Sequence, residues 1–166
     1  MHTSRTSAIV AACTSVALAC AGVAQAAPAS GAAAPSACRP ANHLARIAPD
    51  HAESGHLHYR VTLTAATGYE ACRLVGSPTD VAFAAHGTAL GVTAGRYGDQ
   101  STVVTFGPGR PVHFDIRVPR QGRATLADEA SFTLGAPGGA IPGTSVADGD
   151  FRVAAGTLIG PIRSGA

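Results

Sequence analysis

His56 and His58 are separated by one residue, the spacing that puts two imidazoles on one side of an extended strand. His43, His51, His86 and His113 lie elsewhere in the chain, so the donor type that zinc and copper take is present. A metal site built on the pair needs two or more further ligands meeting at about 2–2.3 Å. The competing reading is a solvent-facing polar row, because Arg60, Thr62 and Thr64 continue the same even-numbered series, and it is the favoured one. Asp148-Gly149-Asp150 carries a fragment of a calcium loop but lacks the remaining oxygen spacing, and it reads as a turn. Asp128 and Glu129 are adjacent, so on a strand their carboxylates point opposite ways and form no dyad.

Nucleophilic and nucleotide chemistry lack their motifs. There is no G-x-S-x-G elbow, no Walker loop and no dinucleotide fingerprint. A non-catalytic protein without a cofactor is expected, and recognition is the class that remains. The Gly-containing turns at Thr67 to Tyr69 and Ala94 to Gln100 carry Tyr69, Arg96 and Tyr97, residue types enriched at interfaces. Tyr69 has a competing role as a cover over the Cys72 end of the core. The ligand expected is an unnamed extracellular or envelope molecule.

These residues need a scaffold, and composition bounds it. The chain has 166 residues, 46% hydrophobic and 13% charged, which suits one small globular domain plus processing segments. Twelve basic residues, all arginine, oppose ten acids for a net charge of +2, leaving no electrostatic footprint for nucleic acid or an anionic membrane.

Residues 1–26 read as a secretory signal peptide: Arg5, then an uncharged apolar run from Ala8 to Ala24, then Ala24-Gln25-Ala26 as a small-x-small site cut between Ala26 and Ala27. Removal leaves no transmembrane span in the mature protein. Ala17-Leu18-Ala19-Cys20 resembles a loose lipobox, so the alternative to a secreted product is an envelope lipoprotein anchored at Cys20. The cysteines left after cleavage are Cys38 and Cys72, and an even pair in an exported protein predicts one disulfide. A metal role for them is weaker, since no C-x-x-C pair or closely spaced third ligand accompanies them.

Residues 27–37 (APASGAAAPSA) have no charge and no large apolar side chain, and read as a flexible linker. Residues 38–166 follow as one β domain. Leu57 to Ala65 alternates apolar and polar over nine residues, and Val112 to Val118 repeats the alternation up to Pro119. Shorter strands are predicted at Leu44 to Ala48, Ala71 to Val75, Val81 to Ala85, Ala89 to Ala94, Thr102 to Phe106, Ser131 to Leu134 and Phe151 to Ala154. Seven to nine short strands separated by turns predict an immunoglobulin-like antiparallel β-sandwich, with a small barrel as the alternative. The predicted core is Leu57, Tyr59, Val61, Leu63, Leu74, Val81, Phe83, Leu90, Val104, Phe106, Val112, Phe114, Ile116, Val118, Phe132 and Leu134. Without a tryptophan to fill its centre, it is not an antibody domain.

Cys38 before a leading strand, Tyr59-Arg60-Val61-Thr62-Leu63-Thr64, and Cys72-Arg73-Leu74-Val75-Gly76-Ser77-Pro78 before Val81 resemble the secreted actinobacterial domain of unknown function 4232. Val104 to Gly109 before Val112-His113-Phe114 resembles that family's L-x-P-G turn and following strand, and Phe132 to Gly138 its late strand and Pro-Gly turn. The resemblance spans roughly Cys38 to Ile162 and implies an exported or lipid-anchored envelope domain with an immunoglobulin-like fold and no established activity. Family members often carry a second cysteine pair in the C-terminal half; no cysteine follows Cys72 here.

Overall fold

A computed structural model describes residues 34–51, 53 and 55–166. The expected signal peptide, its Ala26/Ala27 junction, Cys20 and residues 27–33 of the expected linker lie outside the described residues. After a short 3-10 turn at Pro40–Asn42 the described chain is all strand and loop, with no α-helix among the described residues. The strands are β1 (His43–Pro49), β2 (His56–Ala65), β3 (Cys72–Val75), β4 (Thr79–Ala85), β5 (Thr88–Ala89), β6 (Gly95–Arg96) and β7 (Val103–Phe106), then β8 (Val112–Pro119), β9 (Thr125–Thr133), β10 (Gly135–Ala136), β11 (Gly139–Ala140), β12 (Ser145–Val153), β13 (Leu158–Ile159) and β14 (Arg163–Ser164).

The two long alternating segments form the strands predicted from their period. In β2, Tyr59, Val61 and Leu63 are buried, and in β8, Val112, Phe114, Ile116 and Val118 are buried, each facing inward at every second position. The antiparallel register sets Tyr59 opposite Ile116, Val61 opposite Phe114 and Leu63 opposite Val112, so one continuous apolar layer results. The opposite faces of the same strands carry His58, Arg60 and Thr62 beside Arg117, Asp115 and His113.

Pairing is mixed, which corrects the purely antiparallel expectation. The large sheet runs β5-β4-β9-β12-β1-β2-β8-β13-β6, with β14 also on β8, while β3-β7 and β10-β11 pair separately. β1 is antiparallel to β2 but parallel to β12, and β13 is parallel to β6. By bonding on both edges, β1 joins the β2-β8 flank to the β12-β9-β4 flank as one curled sheet. Phe114 of β8 meets Phe132 of β9 edge to face at 5.1 Å although three strands separate β8 from β9 in the sheet order, so the two flanks fold over a shared core. Phe151 of β12 receives Tyr59 and Phe83 in the same geometry, each at 5.8 Å.

Of the predicted core, Leu57, Val81 and Leu90 are only partly buried; the rest is buried, together with Ile47, Phe151, Ile159 and Ile162. Residues 90–94, predicted as a strand, are not one: only β5 and β6 flank that stretch. Asp148-Gly149-Asp150, predicted as a turn, lies inside β12, where the register against β9 shifts between Asp148 and Phe151. The reason is close backbone approach. A Cβ on Gly149 would collide with the Ile47 carbonyl of the parallel neighbour β1, so glycine lets the bulged strand pass there.

Cys38 and Cys72 are disulfide-bonded with their Cα atoms 6.0 Å apart. The chain ahead of the bridge is already docked: the Ala37 amide donates to the Glu70 carbonyl at 2.8 Å, and the Ala37 side chain is buried. The last residues of the expected 27–37 linker therefore belong to the domain edge rather than to a tether.

Candidate functional site

The outer face of β2 and β8 forms a polar cleft of about 300 Å³, lined among others by Asp50, Glu53, His58, Arg60, Asp115 and Arg117. Strand alternation places these side chains there, because each polar residue of β2 and β8 sits between two inward apolar ones. The β1–β2 connection supplies Asp50, His51 and Glu53, and the loop after β6 supplies Tyr97.

Tyr97 is held by a small bonded loop. Its amide donates to the Ile159 carbonyl, and the Gln100 side-chain amide donates to the Tyr97 and Gly98 carbonyls and to the Ser77 hydroxyl. Asp99 accepts from the amides and hydroxyls of Ser101 and Thr102, which hold its carboxyl below the ordinary range. The Tyr97 ring lies under the Arg117 guanidinium, 5.7 Å from its centroid. Burial first, and Asp115 second, push the Tyr97 phenol above its usual pKa, so it stays protonated.

Charge pairing inside the cleft is uneven. Arg60 Nη2 and Nε reach Asp50 Oδ2 at 2.9 and 3.0 Å. Burial would raise the Asp50 carboxyl, but the His51 amide and ring and Arg60 outweigh it and hold its pKa at about 2. Asp115, directly opposite Arg60 in the ladder, makes no ion pair among the described residues. Arg117 donates through Nη2 to His56 Nδ1 at 3.2 Å, whereas its Nε is buried without a partner among the described residues. His58 is similar: its side chain is only 9% exposed, and Nε2 has no hydrogen-bond partner among the described residues, with Glu53 Oε2 at 3.5 Å.

Two groups expected separately from the sequence, the histidine pair and the Tyr97 loop, meet here through Arg117. Tyr69 and Arg96 do not join them. Tyr69 is half-buried against the core beside His43 and Leu44, and Arg96 is exposed on β6. The His56 Nδ1 lone pair accepts from Arg117, and His51 Nδ1 donates to Asp50. Among the described residues no group of three or more His, Cys, Asp or Glu is placed to hold a metal ion. Sequence reasoning missed Arg117 and offered Asp115 only as one of several weakly paired carboxylates. Their signal was available, since His113, Asp115 and Arg117 are the polar positions of the second alternating strand.

The model of the family described as Domain of unknown function (DUF4232) matches residues 38–156. The chain belongs to this family. Nothing among curated proteins or solved structures matches it. The DUF4232 match opens at the first disulfide cysteine and takes in β1 to β12, hence the β2 and β8 walls of the cleft; Arg163, on its rim, follows the matched region.

Proposed function

We propose that this DUF4232 domain is an exported, non-catalytic binding module of the cell envelope or extracellular space, and that its ligand contacts the polar cleft on β2 and β8. The observation that carries the reading is a pair of buried nitrogens in one cleft, His58 Nε2 and Arg117 Nε, each without a hydrogen-bond partner among the described residues. A buried polar atom left unpaired costs about 1–3 kcal/mol, a cost that a bound ligand or an ordered water offsets. A fitting ligand is small and polar, offering acceptors to Arg117, Arg163 and the Tyr97 hydroxyl and a donor to Asp115. Displacement of the exposed Glu53 carboxylate opens His58 to it.

Export is supported by the leader-like residues 1–26 and by the disulfide, a bond kept in oxidising compartments. Whether the product is free or anchored through Cys20 is read from the mass of its N-terminal peptide. The immunoglobulin-like reading of the fold is supported by the β2-β8 and β4-β9-β12 flanks facing each other across the aromatic core. The copper or zinc alternative has only the stacked His51 and His58 rings, 6.3 Å apart, and the nearby Glu53 in its favour. Saturable heat on titrating zinc or cupric ions at neutral pH would replace the binding-module reading with it.

The test of the main reading is capture from a native envelope extract by the wild-type protein and by Tyr97→Ala and Arg117→Ala. Loss of a bound species in both variants is expected; identical bound material overturns the assignment of the cleft.

A further inference from the structure

The disulfide builds a second cleft, which shares no lining residue with the polar one. Joining Cys38 to Cys72 also brings together the residues that follow each of them, so Arg39 and Arg73 line one cavity of about 560 Å³. Its walls are otherwise mainly apolar, formed by the disulfide and by Pro137, Ile141 and Pro142 from the β10–β11 hairpin and its exit. The volume lies within the roughly 300–1,000 Å³ of small-molecule sites. Arg39 and Arg73 are exposed, and neither side chain makes a hydrogen bond or ion pair among the described residues. Among the described residues no carboxylate lines the cavity. Two unneutralised guanidinium groups above an apolar floor are complementary to a molecule with an anionic head and an apolar body, since guanidinium binds carboxylate through paired donors.

We propose that this cleft binds a small anionic amphiphile of the medium-chain fatty-acid type, with its carboxylate at Arg39 and Arg73 and its chain against Pro137, Ile141 and Pro142. The inference is independent of the polar cleft, and the disulfide becomes part of the site because it holds the two arginines together.

Titration of the purified protein with octanoate, octanol and acetate, followed by calorimetry and amide NMR, tests it. Octanoate is expected to saturate, with shifts centred on Arg73 and Ile141, and octanol and acetate to bind at least about tenfold more weakly. Each methylene added from octanoate to decanoate should tighten binding about fourfold while apolar wall remains to be covered. The Arg39→Gln/Arg73→Gln variant should bind octanoate about tenfold more weakly and octanol unchanged, as expected for two partly screened charge contacts. Both arginines are exposed, so the variant should keep the wild-type thermal transition. Equal affinity for octanoate and octanol, or undiminished octanoate binding by the double variant, would overturn the proposal. So would folded wild-type protein that shows no saturable octanoate binding, or that binds vesicles of anionic phospholipid but not monomeric octanoate.

Discussion

Replacing both Cys38 and Cys72 by alanine cuts the link between the chain entering β1 and the start of β3. The bridge spans 34 residues in sequence. In the chain-entropy treatment a loop of that length is worth about 3.8 kcal/mol at 25 °C. Cys38 is buried, so losing its sulfur adds a small packing term, and a total near 4 kcal/mol is expected. Against the roughly 5–15 kcal/mol that holds a typical domain folded, this is a large share. With a urea m-value of about 2 kcal/mol/M, the unfolding midpoint should fall by about 2 M. Urea denaturation of wild type, the double variant and dithiothreitol-reduced wild type measures it, and the last two should agree to within that small packing term. A destabilisation below about 1 kcal/mol would refute the reasoning, because the loop would then not be closing free chain in the unfolded state.

Gly149→Ala should destabilise the domain by about 2–3 kcal/mol, since the new Cβ meets backbone at Ile47 rather than a side chain that can move. Gly138→Ala, where nothing lies within 4 Å, is the control and should change the thermal midpoint by less than the equivalent of about 0.5 kcal/mol. The Asp50 carboxyl is depressed from 3.8 to about 2, so its contribution is complete above the unfolded value and is lost as pH falls from about 4 through about 2. Asp50→Asn should therefore flatten the acid limb of a stability profile in that window and leave its slope near neutrality unchanged. His43 is held neutral, chiefly by burial, with Nδ1 donating to the Ala37 carbonyl and the Ser145 hydroxyl donating to Nε2. Its lowered pKa makes stability fall as pH drops below 6.5, and His43→Gln should lessen that decline in equilibrium unfolding between pH 7 and the folded pKa.

Strict alternation made β2 and β8 legible, and with them most of the core from Tyr59 to Val118. Alternation cannot report partners. Nothing local in Leu44 to Ala48 says that its strand bonds β2 on one edge and β12 on the other, so the mixed sheet was invisible. Asp148-Gly149-Asp150 carries turn chemistry in a window of three residues; only the approach of Ile47, a hundred residues earlier in sequence, makes it a bulge. Ser145 to Asp150 was hidden for the same reason, although Phe151 to Val153 was predicted as strand. At the site, His58 and Tyr97 were visible one by one, but their meeting depends on β13 seating β6 beside β8, a long-range pairing. The Arg39 and Arg73 pair was similarly obscured, although each follows a cysteine whose partner the sequence did indicate.

The most direct measurement is a titration of isotope-labelled protein with the low-molecular-mass fraction of a native envelope extract, recording the arginine Nε–H, histidine ring and backbone signals. The polar-cleft reading predicts saturable changes at Arg117 Nε–H and the His58 ring, together with Tyr97, that vanish in Tyr97→Ala. Saturable changes confined to other surfaces, with Arg117 and His58 unmoved, would contradict it.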